Sequence, residues 1–159
     1  MIAPAVLATS LRTLMAETFG VSDSPDNYML ENGRAGLLGT IDALSAATAS
    51  AALTSSEPTI AGHCGHILFL LSFFGAFDVG QTPVADWEGS WANHALDEAA
   101  WAALREQLHS TYATVVGRFT DDSAWPEARV GAAILLLAHC AYHVGQVRLL
   151  VTALNAKEN

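Results

Sequence analysis

The apolar positions of this chain recur every three to four residues over long stretches, whereas strict alternation of apolar and polar residues is nearly absent. A spacing near 3.6 residues is typical of helices that bury one face, and alternation is typical of half-buried strands. The pattern therefore predicts an all-α fold. It places helices at about residues 4–18, 27–53, 58–77 and 126–153, and a further one from a cap at Asn93 or Asp97 to about 119.

Breakers and capping residues define several of these helix ends. Pro4 suits the first turn of the first helix, and Gly20 suits its end. Ser56 or Glu57 would cap the third helix, with Pro58 in its first turn. The helix boundaries therefore rest on local chemistry as well as on periodicity.

One domain is expected to account for all 159 residues, since 52% hydrophobic residues supply enough apolar surface for a single core. Four long amphipathic helices pack best as a four-helix bundle, with an extra N-terminal helix and loop at 1–25. The second helix carries three glycines and is expected to break near Gly33. The connection at 78–96 is long for a compact domain, and loops of that length are often functional.

Charge and cysteine usage limit the partners and the location that we expect. Sixteen acidic residues against seven basic ones give a net charge of −9, which repels nucleic acid and anionic membrane surfaces. The most apolar runs, near 67–77 and 130–138, are too short to cross a bilayer of about 30 Å. Two cysteines are too few for a disulfide scaffold. We therefore expect a cytoplasmic protein with no nucleic acid and no membrane as partner.

The stretch "LAHCAYHVGQVRLL" sets two histidines four residues apart in an apolar helix. At 100° per residue, His139, His143 and Gln146 form one stripe on a face that is otherwise core. Buried imidazoles need partners for two ring nitrogens, which an apolar face does not offer. A divalent metal explains the stripe, because histidines one turn apart both reach one ion through bonds of about 2.0–2.1 Å.

The stretch "TIAGHCGHILFLL" offers candidates for a third ligand, because it also carries histidines at helical spacing in an apolar helix. His66 lies in line with the core stripe of that helix, whereas His63 lies about 60° away. We predict His66 as the ligand and His63 as a neighbouring residue of the pocket, with the alternative that His63 binds the metal instead or as well. Cys64 and Cys140 should point away from the site and lie in the core.

Residues around the three histidines complete the predicted site. Gln146 either supports a ligand histidine or packs at a helix interface, and Tyr142 is expected at the rim. In the long loop, Asp86 is available as a hydrogen-bond acceptor or general base, or else faces solvent. Trp87 and Trp91 are expected to pack beside the site. No catalytic residue is assigned.

Two stretches of the sequence resemble motifs of a known protein family. "HCAYHVGQVRLL" is similar to the H-x-x-Y-H-x-G-Q-[IV] signature of DinB/YfiT-like proteins, and "TIAGHCGHILFLLSFF" followed by "ADWEGSW" resembles their second-helix histidine and tryptophan loop. The resemblance covers about residues 55–150. It implies an up-down-down-up four-helix bundle, a divalent ion on His66, His139 and His143, and frequently a homodimer.

The resemblance also implies a class of chemistry. Family members include thiol-dependent S-transferases and a thiol-dependent isomerase, so we expect a metal-dependent enzyme of this kind, or a related hydrolase, acting on a small molecule with a low-molecular-weight thiol. Three imidazoles leave the choice of metal open, with zinc or nickel as first candidates. The alternative is a non-catalytic bundle that is stabilised by metal or that binds a small ligand.

Overall fold

Six α-helices and one 3₁₀ helix make up the regular structure in the computed structural model, which describes residues 3–22, 27–30, 36–54 and 58–157. No strand occurs within those ranges, in agreement with the all-α prediction. The helices are α1 (Pro4–Phe19), α2 (Leu37–Asp42), α3 (Ala46–Ala49), α4 (Ile60–Asp78), α5 (Glu98–Val116) and α6 (Glu127–Lys157), and the 3₁₀ helix is Gly89–Trp91.

The first helix begins and ends where the sequence predicts. Pro4 occupies its first turn, and Gly20 ends it with a left-handed backbone at φ 77°. A Cβ on Gly20 would lie 2.7 Å from the backbone nitrogen of Gly36, so the two chain segments touch backbone to backbone. Only glycine combines this contact with a positive φ without strain.

The predicted second helix at 27–53 is wrong over its described part. Two short helices, α2 and α3, replace it, and residues 28–30 form a bend. Gly36 is extended where α2 begins, and Ser45 is extended where its hydroxyl accepts the Thr48 amide. Local capping therefore overrides the apolar periodicity here. The break predicted near Gly33 lies outside the described residues.

The caps of the long helices decide their starting points. Thr59 caps α4 by accepting the amide of Gly62, so Pro58 precedes the cap instead of occupying the first turn. The alternatives Ser56 and Glu57 lie outside the described residues. Asp97 caps α5 by accepting the Ala100 amide at 2.8 Å, and it is one of the two residues that were predicted as this cap. Helix α6 has 31 residues and continues past the predicted end at 153.

Helix α4 is the centre of the packing, because it contacts α5, α6, α3 and the 3₁₀ helix. Helix α1 packs against α6, and α2 lies between α1 and α5. The N-terminal helix is therefore one of four long bundle helices, and the short additions are α2 and α3. At one end of the α4–α6 contact, the buried carboxylate of Asp78 pairs with Arg129.

Two helices are long and apolar enough to cross a membrane when judged by length and composition alone. The apolar runs at 67–77 and 130–138 were expected to be too short to cross a bilayer. The helices that contain them are longer than these runs, because α4 and α6 continue through histidine and glycine residues. In their most apolar windows, 61% of α4 is buried in the fold but only 33% of α6. Since the core helix of a bundle passes the same test, the finding is weak evidence for a membrane.

Candidate metal centre

Three histidines from two helices converge at one side of the α4–α6 contact. His66 comes from α4, and His139 and His143 come from α6; one ring nitrogen of each lies within 4.8 Å of the others. His66 and His143 are each only 3% exposed, and His139 is half-buried. The structure thus brings together the three residues predicted as ligands, and they could hold a metal ion.

The hydrogen bonds of His66 define which of its nitrogens is free. Its Nδ1 lies 2.7 Å from Oγ of Ser90, and that hydroxyl donates its proton to the carbonyl of Trp87 at 2.6 Å. The serine oxygen must therefore accept a hydrogen bond from Nδ1–H of His66. This tautomer leaves a lone pair on Nε2, which is the arrangement that metal-binding histidines usually show.

The spacing between the first two candidate ligands suits a tetrahedral ion. Nε2 of His66 lies 3.4 Å from Nε2 of His139. Two nitrogens bound at about 2.0–2.1 Å around a tetrahedral centre are separated by about 3.3–3.4 Å. The two rings therefore already stand at the separation that a shared zinc-like ion requires.

The third ring carries an unsatisfied nitrogen. Nδ1 of His143 lies 3.0 Å from Nδ1 of His63, so one of these atoms donates to the other. Nε2 of His143 is buried without a hydrogen-bond partner. A buried polar atom without a partner is costly, and a cation would satisfy it. His63 thus stands behind His143 and, in this geometry, is outside the group of three converging ligands.

Burial keeps the imidazoles of His63, His66 and His143 neutral. Loss of solvent lowers the pKa of His63 to about 4, and it lowers the pKa of His66 to about 4 with a smaller contribution from the neighbouring rings. The pKa of His143 is lowered to about 3 by the same two causes. At neutral pH these rings therefore offer lone pairs, which cations need.

The long connection at 78–96 supplies the residues that hold His66 in place. Trp91 stacks on the His66 ring with centroids 4.1 Å apart and an interplanar angle of 11°. Asn93 packs so closely on α4 that a Cβ on Gly65 would lie 2.3 Å from its side-chain nitrogen. Sequence reasoning missed Ser90, because a lone serine in a loop carries no periodic signal; the flanking tryptophans of "WEGSW" mark its neighbourhood.

A cavity of about 560 Å³ opens beside the three histidines. Its lining includes His63, Trp87, Trp91, Tyr142 and Gln146 together with the converging rings. Tyr142 is exposed at the rim and meets His143 edge to face, with ring centroids 4.9 Å apart. Gln146 faces the cavity but makes no hydrogen bond to a ring nitrogen of the described histidines. The structure therefore places these predicted pocket residues around one opening.

Asp86 is the exception among the predicted pocket residues. Its carboxylate accepts the amide of Gly89, the first residue of the 3₁₀ helix, at 2.8 Å, is exposed, and is not among the residues that line the cavity. Of the two alternatives predicted for Asp86, a role at the site or exposure to solvent, its exposed position agrees with the second. Cys64 and Cys140 are fully buried, as expected of core residues, and burial raises the pKa of Cys140 to about 12.

No family model, curated protein or solved structure matches this chain. The similarity to DinB/YfiT-like proteins therefore rests on the quoted motifs alone. What the site can do follows from its own geometry, which is a three-histidine group beside an open cavity.

Proposed function

We propose that this chain is a DinB/YfiT-like protein that binds one divalent cation through His66, His139 and His143 and acts as a metal-dependent enzyme on a small molecule. The observation that carries the proposal is the buried, unpartnered Nε2 of His143 beside the 3.4 Å pair of Nε2 atoms. Three neutral imidazoles and no carboxylate in the group suit zinc or nickel.

When bound, such a cation supplies Lewis acidity and lowers the pKa of a coordinated water or thiol. Other residues of the chain hold the histidine rings in position. Ser90 fixes the tautomer of His66, Trp91 fixes the plane of its ring, and His63 supports His143 from behind. Ring orientation held in this way preserves the lone pairs for the ion.

The cavity beside the three histidines supports a site that a small molecule can reach. Three protein ligands leave a coordination position open, and about 560 Å³ of space adjoins them. The cavity lining carries no lysine, arginine or carboxylate among the described residues. An anionic head group such as a thiolate would therefore find its positive partner in the cation that the three neutral histidines would hold, which agrees with the thiol S-transfer, or related hydrolase or isomerase chemistry, that the resemblance implies.

The alternative is a non-catalytic bundle stabilised by metal, and a cobalt(II) experiment separates the two. Protein loaded with cobalt is mixed with 2-mercaptoethanol, and the visible absorption of the ion is followed. We expect a change of spectrum in the wild type and its loss in His143→Ala, with exposed His109→Ala as the matched control. Tight cobalt binding with a spectrum that does not respond to thiols or other small ligands would favour the structural alternative.

A further inference from the structure

A second cavity, which we call the side slot, adjoins the histidine cavity between α4 and α6. It has a volume of about 220 Å³, is open to solvent on one side, and is lined by aromatic and aliphatic side chains, among them Phe73, Phe74, Phe77, Ala132 and Leu136. Trp87 and His139 line both cavities. The side slot therefore begins at one of the candidate metal ligands and leads away from it.

The lining of the side slot decides what it can hold. None of the described residues around it is charged, and its polar groups belong only to Trp87 and His139. At about 30 Å³ for a group the size of a water molecule, the space accommodates roughly seven such groups. Water gains few hydrogen bonds there, whereas an alkyl or phenyl group gains contacts with the apolar walls.

We propose that the side slot receives the apolar tail of the ligand whose head group reaches the three histidines. The inference rests on the proposed function, because the head is held by the cation. It names the ligand class as a small molecule with a metal-coordinating head, such as a thiolate, and an uncharged tail of about six carbons. A second anionic group is disfavoured, since none of the described residues that line either cavity is a lysine or arginine.

The test uses zinc-loaded protein and straight-chain alkanethiols of two to eight carbons, with affinities measured by calorimetry. Each methylene buried in the slot should tighten binding about fourfold, until the slot is full at roughly six carbons. Ala132→Phe fills the slot and should remove the length dependence while leaving ethanethiol binding unchanged. Ala128→Phe, one turn earlier on α6 and exposed, is the matched control.

Zinc content and circular dichroism establish that Ala132→Phe is folded and loaded. Should it fail to fold, Phe77→Ala at the partly exposed edge of the slot replaces it, and should weaken the six-carbon probe selectively. If the protein binds one equivalent of zinc but its affinity for alkanethiols does not depend on the length of the alkyl chain, the inference about the side slot is wrong and the proposed function stands. Failure to bind zinc at all would overturn both.

Discussion

The hydroxyl oxygen of Ser90 lies 2.7 Å from Nδ1 of His66, and the same hydroxyl donates a hydrogen bond to the carbonyl of Trp87. A loop residue therefore determines which nitrogen of a core histidine is free. This relationship joins the 3₁₀ helix to α4 and makes the three-histidine group dependent on the loop.

Replacing Ser90 with alanine should weaken zinc binding by about 10- to 100-fold, because His66 then loses the acceptor that fixes its tautomer. The measurement is competition for zinc against a chromophoric chelator. Ser72→Ala, on the exposed side of α4, is the matched control and should bind zinc as the wild type does. Equal affinities in both variants would show that Ser90 has no part in the site.

Replacing His66 with alanine should weaken zinc binding more than replacing His63 does. His66→Ala removes a ligand and should abolish measurable one-to-one binding of zinc. His63→Ala removes only the partner of Nδ1 in His143 and should reduce affinity by about 10- to 100-fold. If both variants lose zinc completely, His63 is itself a ligand, and the assignment made from the geometry is wrong.

The effect of pH follows from the lowered pKa values. Unfolded histidines titrate near 6.5, whereas His66 and His143 in the fold titrate at about 4 and about 3. The unfolded chain therefore binds more protons below about pH 6.5, so stability without metal should fall as the pH decreases from there toward 4.

Zinc should nevertheless raise the melting temperature at about pH 5, where ordinary imidazoles are mostly protonated. The increment should vanish below about pH 4, once the folded rings take up protons. Differential scanning calorimetry with and without zinc at each pH gives the comparison. Loss of the zinc effect already between pH 6 and 7 would mean that these rings titrate normally.

Two glycines of α4 give a matched test of the loop. Gly65→Ala places a Cβ 2.3 Å from the side chain of Asn93 and should displace the loop that carries Ser90 and Trp91, with loss of zinc affinity. Gly62→Ala meets only ordinary contacts at 3.6 Å and should stabilise the helix by up to about 1 kcal/mol without changing affinity. Chelator competition and thermal unfolding measure both quantities, and similar behaviour of the two variants would contradict the close packing of the loop.

The sequence predicted the candidate ligands because they follow helical periodicity. His139 and His143 share a stripe, and His66 lies in line with the core face of α4, so 100° per residue was enough to place them. The start of α1 was predicted from Pro4, and Asp97 was one of the two residues predicted as the cap of α5.

What could not be predicted lies where tertiary contacts decide. Ser90 acts through a loop conformation that no periodicity encodes, and Asp86 turns to its own 3₁₀ helix instead of the cavity. The stretch at 27–53 was predicted as a helix with a break near Gly33, but Gly36 is extended where its backbone meets that of Gly20, and only short helices follow it. Such contacts join residues far apart in sequence, and single-sequence patterns do not report them.

The most direct measurement is metal analysis of the full chain, purified without an affinity tag and dialysed against zinc, beside its His66→Ala and His139→Ala variants. We expect one equivalent of zinc in the wild type, in exposed His94→Ala and in exposed His109→Ala, and none in the two site variants. A wild type without stoichiometric zinc, nickel or manganese after each has been offered would contradict the three-histidine metal centre.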